Sequence, residues 1–181
     1  MNAPAAPASR SQMPSFGAIF QRDLGYVYNS LRRLGVPSRD LEDLCHDVFF
    51  RVHQRLAEYD AERPFRPWLF GFCFRVASDY RRRFANQREI LGAELEPVDP
   101  APNAFDQLVR AEASNLAQRV LQSLELERRA VFVMHELDGS PIPDVAEALG
   151  IPLNTAYSRL RLAREQFAEG LRRERLRRGE R

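Results

Sequence analysis

The sequence predicts an all-α protein: two small helical domains joined by an acidic, proline-containing linker, with a helix-turn-helix in the C-terminal half. Three observations predict it. Apolar residues recur at three- and four-residue spacing over Phe16–Arg83 and again from Leu108 to about Glu169, and no stretch alternates as a strand would. Between them, Glu89–Asp106 holds five acids, three prolines and no basic residue, a self-repelling segment low in apolar content. Third, Pro141–Glu165 (PIPDVAEALGIPLNTAYSRLRLARE) sets a short helical pattern and a longer, arginine-rich one on either side of a glycine.

The expected division is a disordered tail over 1–15, a first helical domain over 16–88, the linker over 89–106, a helix-turn-helix domain over 107–173 and a basic tail over 174–181. Each half has roughly 60–70 ordered residues, near the lower limit for independent folding, so each is expected to gain stability from a partner.

In the first half, breaks are expected at Gly35-Val36-Pro37 and around Arg63–Pro67. Asp40–Leu56 (DLEDLCHDVFFRVHQRL) places Leu41, Leu44, Cys45, Val48, Phe49, Val52 and Leu56 on one stripe. At about 100° per residue, Phe50 points away from that stripe, among Asp43, His46, Asp47, His53 and Gln54. An outward aromatic ringed by acids resembles an interaction hot spot; a third packing face inside the bundle is the alternative. Phe65–Arg83 (FRPWLFGFCFRVASDYRRR) has a stripe of Trp68, Leu69, Phe72, Cys73, Val76 and Tyr80. Phe70 and Phe74 lie off it, and aromatics interleaved with arginine suit a single-stranded nucleic acid as well as a core.

In the second half, glycine closes a helix over Leu126–Leu137, and Ser140 is expected to cap the next, with Pro141 in its first turn. Ile142, Val145, Ala146 and Leu149 form one face, Gly150 ends that helix, and Leu153, Ala156, Leu160, Ala163 and Phe167 are the inward positions of the last. Ala146 is small enough for the two helices to cross closely. The outward face then carries Asn154, Thr155, Tyr157, Ser158, Arg159, Arg161 and Arg164, the donors and positive charge that a helix in the major groove requires. From Ala156 onward nine arginines face four acids, and Arg172–Arg178 would add phosphate contacts.

Composition excludes other classes. Hydrophobic residues make up 44% and charged ones 29%, as in a soluble globular protein. No run of eighteen apolar residues is present, so membrane insertion is not expected, and the first residues lack the order of a signal peptide, which points to the cytoplasm. All 27 basic residues are arginine. Cys45 and Cys73 each sit in an apolar pattern and read as buried thiols. His46 and His53 are about 10 Å apart along a helix, too far for one ion, so no metal or cofactor is expected. No nucleophile–base pair or phosphate-cradling loop is visible, so the chain is not expected to be an enzyme.

Asp40–Val52, Phe65–Arg83 and Leu137–Glu165, in this order, resemble the extracytoplasmic-function group of bacterial RNA polymerase sigma factors, and the resemblance covers Phe16 to about Arg173. It implies a promoter-specificity subunit whose partners are core RNA polymerase, promoter DNA and, often in this group, an anti-sigma factor. By position, Asp43, His46, Asp47 and Phe50 would bind polymerase. Ala61–Phe65 would hold a flipped base of the minus-ten element, with Arg63, Phe65, Trp68, Arg75, Arg81, Arg82 and Arg83 along the strand. Asn154, Thr155, Tyr157, Ser158, Arg159, Arg161 and Arg164 would read the minus-thirty-five element as duplex. The linker would thread toward the RNA-exit path. The chain departs from the group where Phe74-Arg75 replaces a frequent Arg-Asn, where Tyr157 replaces a basic residue, and where Leu162 replaces an arginine; these bear on which promoter is read. Two rivals remain. A free-standing helix-turn-helix regulator would dimerise on a palindrome, and an enzyme would use the His46–Asp47 neighbourhood.

Overall fold

A computed structural model describes residues 15–91 and 116–177. The expected N-terminal tail up to residue 14, nearly all of the linker, the helical start at Leu108 and the last four residues lie outside the described residues.

Helix α1 spans Phe16–Leu34. The Ser15 hydroxyl accepts from the Ala18 N–H at 3.3 Å, satisfying one of the free donors of the first turn. At the other end Gly35 takes φ +95°, and the N–H groups of Gly35 and Val36 bond back to the Arg32 and Leu31 carbonyls. A 3₁₀ turn at Ser38–Asp40 leads into α2 (Leu41–Arg55), and another at Leu56–Glu58 leaves it. Helix α3 (Phe65–Leu91) takes Pro67 into its first turn, where the missing N–H has no intrahelical partner to lose.

The second half begins with α4 (116–123), followed by α5 (Leu126–Phe132), which widens into a π-helical turn over Val133–Leu137. Gly139, at φ +72°, turns the chain toward α6 (Ile142–Leu149), which ends at Gly150 with φ +65°. Helix α7 runs from Leu153 to Arg177. It outlasts the expected end near Glu169. Gly170 there lies so close to Val120 of α4 that an added Cβ would meet Val120 Cγ1 at 2.5 Å. Arg172, Arg173 and Arg177 also pair with Glu169 and Glu174 at three- and four-residue spacing.

Helix α3 packs on α1, α2 and also α6, while α5 and α6 pack on α7, so one buried core runs through both halves. Every residue of the expected α2 stripe is buried or packed against this core. Three expectations are corrected. Ser140 caps nothing: its N–H donates to the Met134 carbonyl at 2.9 Å, its own carbonyl lies 2.9 Å from His135 Nδ1, and Pro141 precedes α6 without a side-chain cap. Phe70 is completely buried, because α3 has neighbours on more than one side. Leu153 is 44% exposed, whereas Ala156, in the same turn, is completely buried.

Candidate functional site

The sequence-predicted residues fall into three surfaces. The first is the outer side of α2. Asp43, His46, Asp47 and Phe50 are all exposed, and the Phe50 ring is 64% exposed although its neighbours Val48, Phe49 and Val52 are buried. The helix period does this. Residues one position apart are rotated by about 100°, so a stripe that buries Phe49 leaves Phe50 outside. Across the helix, Phe49 meets Phe20 and Phe16 of α1 at ring-centroid distances of 4.7 and 6.4 Å, so the inward side of α2 is already occupied. Most of the Phe50 ring is left without packing among the described residues.

The second surface is the turn before α3 and the first half of that helix. The Asp60 carboxylate accepts the Glu62 N–H at 3.0 Å, the Arg63 N–H donates to the Asp60 carbonyl at 3.0 Å, and the Tyr59 hydroxyl donates to the Arg63 carbonyl. These bonds hold residues 60–64 in a tight turn with Arg63 exposed. Behind the turn lies an aromatic cluster in which Trp68 contacts Tyr59, Phe65 and Phe72 at 5.0, 5.6 and 4.7 Å. Phe65 and Trp68 are only half-buried, so each presents an edge outward.

Arg75 stacks over the Phe72 ring at 4.8 Å. Partial burial pushes its guanidinium pKa down, and the charges of Arg55 and Arg51 add to that. Arg51 is paired with Asp79 at 3.0 Å and Arg55 with Glu58 at 3.7 Å, so the three like charges are partly compensated, and an anion beside Arg75 would relieve the rest. Two turns further on, Arg81, Arg82 and Arg83 are exposed, with Arg82 held to Asp79 at 2.7 Å. Phe70 has no access to a strand running here; Phe74 is half-buried against the core.

The third surface is the outer side of α7. Asn154, Thr155, Ser158 and Arg159 border an open groove of about 500 Å³ with Leu162, facing Glu125, Glu127 and Arg128 at the start of α5. Tyr157, 54% exposed, Arg161 and Arg164 form a second row around the helix. Arg161 pairs with Glu165 at 2.8 Å and Arg164 with Glu136 at 2.6 Å. All four groups of these pairs are substantially solvated, so the pairs are weak and exchange readily for other anions. Leu162 is half-buried and lines the same groove.

The structure brings the second surface close to the C-terminal half, through residues that the sequence did not single out. Asp138, at the end of the π turn, accepts from the Tyr26 hydroxyl at 2.9 Å and from Arg33 at 3.0 Å, both on α1. Burial pushes the Asp138 carboxyl up; the Tyr26 hydrogen bond and then the Arg33 charge oppose this. Arg129, almost fully buried, donates to the carbonyls of Leu34 at 2.8 Å and Leu124 at 2.7 Å, and to that of Gln122. Burial, then repulsion from Arg81, lowers its pKa to about 10, which leaves it charged at neutral pH. Gly35 has no room for a Cβ, which would sit 2.4 Å from Arg129 Nη1. The one sequence signal was positional: Arg129 falls with Leu126, Ala130 and Val133 on the buried stripe of α5. Asp138, Tyr26 and Arg33 had none.

Among the described residues no cluster of His, Cys, Asp or Glu could hold a metal, and no helix is long and apolar enough to cross a membrane.

Comparison with known proteins agrees in both halves. The family description "Sigma-70 region 2" matches residues 19–88, and "Sigma-70, region 4" matches residues 114–167. The RNA polymerase sigma factor NccH of Alcaligenes xylosoxydans xylosoxydans is 30% identical over 167 residues, covering 88% of each chain. The ECF RNA polymerase sigma factor SigE of Mycolicibacterium smegmatis is 29% identical over 170 residues, covering 92% of this chain and 65% of its own. In fold, the chain is similar to the sigma factor RpoE crystallised with the anti-sigma factor NepR from Bartonella quintana, with a TM-score of 0.71, 20% identity and coverage of 87% and 96%. It is also similar to CnrH in complex with the cytosolic domain of CnrY, with a TM-score of 0.61, 24% identity and 85% of each chain covered. With its region 2 bundle, its region 4 helix-turn-helix and these relatives, the chain belongs to the extracytoplasmic-function group of RNA polymerase sigma factors.

Proposed function

We propose that this chain binds core RNA polymerase through Asp43, His46, Asp47 and Phe50, directs it to a small set of promoters and helps to open them. In this reading the turn at 60–64 receives a flipped minus-ten base, with Phe65 and Trp68 beside it. Arg63, Arg75 and Arg81–Arg83 follow the phosphates of the displaced strand. Flipping a base costs a few kcal/mol, which stacking and hydrogen bonds in the pocket have to offset. The α7 residues Asn154, Thr155, Tyr157, Ser158, Arg159, Arg161 and Arg164 read the minus-thirty-five element as duplex. The role has no chemical step of its own, and its place is beside polymerase in the cytoplasm. Anti-sigma factors, one of which accompanies a sigma factor of similar fold, are a further partner class.

The observation that carries this reading over a free-standing DNA-binding regulator is Phe50. A large ring left 64% exposed among acids, on a helix whose other side is fully packed, fits a protein partner. A free-standing regulator would bury such a ring only in a dimer interface, which the following test distinguishes. The test is co-elution of the purified chain with bacterial core RNA polymerase by size-exclusion chromatography at moderate salt. A one-to-one complex is expected. A dimer that leaves polymerase untouched would move the assignment to the free-standing regulator.

A further inference from the structure

The turn before α3 has a further side, which α1 supplies. Arg22 lies over the Phe65 ring at 5.3 Å, and Phe65 in turn meets Tyr59 edge-on at 5.2 Å and Trp68 at 5.6 Å. Burial, then the Asp60 charge, pushes the Tyr59 phenol up, and the Arg22 charge opposes them, so the guanidinium lies near that ring as well. The Arg22 side chain is 55% exposed, while that of Asp23 is only 1% exposed. The two are bonded: Arg22 Nε and Nη2 donate to Asp23 Oδ2 at 2.9 and 2.7 Å. Consecutive side chains leave a helix about 100° apart and do not ordinarily face each other. Arg22 reaches Asp23 only by lying back across the helix, and its guanidinium comes to rest over Phe65. A buried carboxylate without a partner is costly, so Asp23 holds the guanidinium in that place.

We propose that Arg22 is a base-reading residue of the minus-ten pocket and that Asp23 is the residue that positions it. A guanidinium presents its N–H donors in a rigid planar fork. Asp23 takes the side shared by Nε and Nη2, which leaves an N–H on each of Nη1 and Nη2 without a partner among the described residues. That free edge matches two adjacent acceptors on one base. Guanine offers such a pair in O6 and N7, and cytosine in N3 and O2; adenine and thymine place a donor between or beside their acceptors. A phosphate is the poorer ligand here, because Asp23 already matches the Arg22 charge at 2.7 Å. The inference rests on the assignment of the turn at 60–64, with Phe65, to a flipped minus-ten base, and it names the class of base that the pocket takes.

The test uses holoenzymes assembled from the full chain and bacterial core polymerase. A pool of promoter duplexes randomised over both promoter elements is selected for open complexes that survive a heparin challenge, and the survivors are sequenced. The parent is expected to select guanine or cytosine at one non-template position of the minus-ten element, and the sequences show which of the two it is. Arg22→Ala and Arg22→Lys are each expected to weaken that preference about tenfold, at that position alone, because an ammonium does not offer the fork. Asp23→Asn is expected to relax the same position by a smaller factor. Affinity for a selected promoter, measured over a series of salt concentrations, is expected to keep its salt slope in Arg22→Ala, as for a residue that touches no phosphate.

Arg22→Lys keeps a cation over Phe65, so a purely structural role for Arg22 leaves the preference of that variant intact. Unaltered preferences in Arg22→Ala and Arg22→Lys would therefore overturn the inference. So would minus-ten preferences for adenine or thymine alone. A loss that is equal on all sequences and comes with a reduced salt slope would make Arg22 a phosphate contact and overturn it too. The underlying reading fails in a different way. A parent holoenzyme that opens promoters with no base preference anywhere in the minus-ten element would remove the pocket itself. A preference that Phe65→Ala abolishes and both Arg22 variants leave untouched would remove only the role of Arg22.

Discussion

Replacing Phe50 by alanine separates docking from folding. The ring is 64% exposed, and a phenylalanine side chain offers about 200 Å², so about 130 Å² awaits a partner. At about 25 cal/mol per Å² its burial on polymerase is worth about 3 kcal/mol, within the range of an interface hot spot. Phe50→Ala should therefore raise the dissociation constant for core polymerase roughly 100-fold. The fold should hardly notice. The remaining third of the ring covers about 70 Å², worth at most about 2 kcal/mol, and the better helix propensity of alanine offsets about 0.5 kcal/mol of that. The expected fall in Tm is about 5 °C or less. Fluorescence titration of labelled chain with core polymerase gives the affinity, and circular dichroism gives the melt. An affinity within about threefold of the parent would remove Phe50 from the interface. A fall in Tm beyond about 10 °C would mean that α2 needs the ring for packing.

Arg129→Met should destabilise the chain by about 2–4 kcal/mol, because two buried carbonyls, those of Leu34 and Leu124, lose their donor at about 1–3 kcal/mol each and the part-buried Gln122 carbonyl loses a third bond, while release from burying the guanidinium offsets part of it. Chemical denaturation measures this; a loss under about 1 kcal/mol would show that water replaces the arginine. Arg129→Lys should recover less than half of the loss, since an ammonium cannot span the same three acceptors. Arg159→Ala should cost about 1–3 kcal/mol on the preferred duplex and much less on others if the side chain reads a base edge; equal loss on all duplexes makes it a phosphate contact. Cys45 and Cys73 are both buried free thiols, and burial, followed by the Glu42 charge, pushes the Cys45 thiol up to about 11. Cys73 is pushed up as well, chiefly by burial. The native chain at pH 8 should thus be almost inert to a thiol-reactive dye, with two equivalents reacting after denaturation; fast native labelling would show that α2 or α3 opens locally.

Part of this protein is legible in the sequence because it depends on neighbours in the chain. The glycines at 35, 139 and 150 end helical stretches wherever the rest of the molecule lies, and all three take positive φ. Phe50 faces outward because the helix period relates it rigidly to Phe49, and no tertiary contact can change that relation. The recognition face of α7 follows from the same arithmetic.

Tertiary structure decided whatever depends on how many sides of a helix are covered and by what. A single apolar stripe on α3 predicts one packed side, yet α1, α2 and α6 all pack on this helix, and Phe70 passes from candidate stacking residue to core. Leu153 goes the other way, left 44% exposed while Ala156 in the same turn is fully buried. Tyr26 and Asp138 are 112 residues apart and Arg129 and Leu34 are 95 apart, so no local pattern links them. The same holds for Gly71, whose missing side chain matters only because the Ala148 carbonyl lies against it. Local periodicity determined which faces this chain presents; the meeting of its two halves decided which of them is covered.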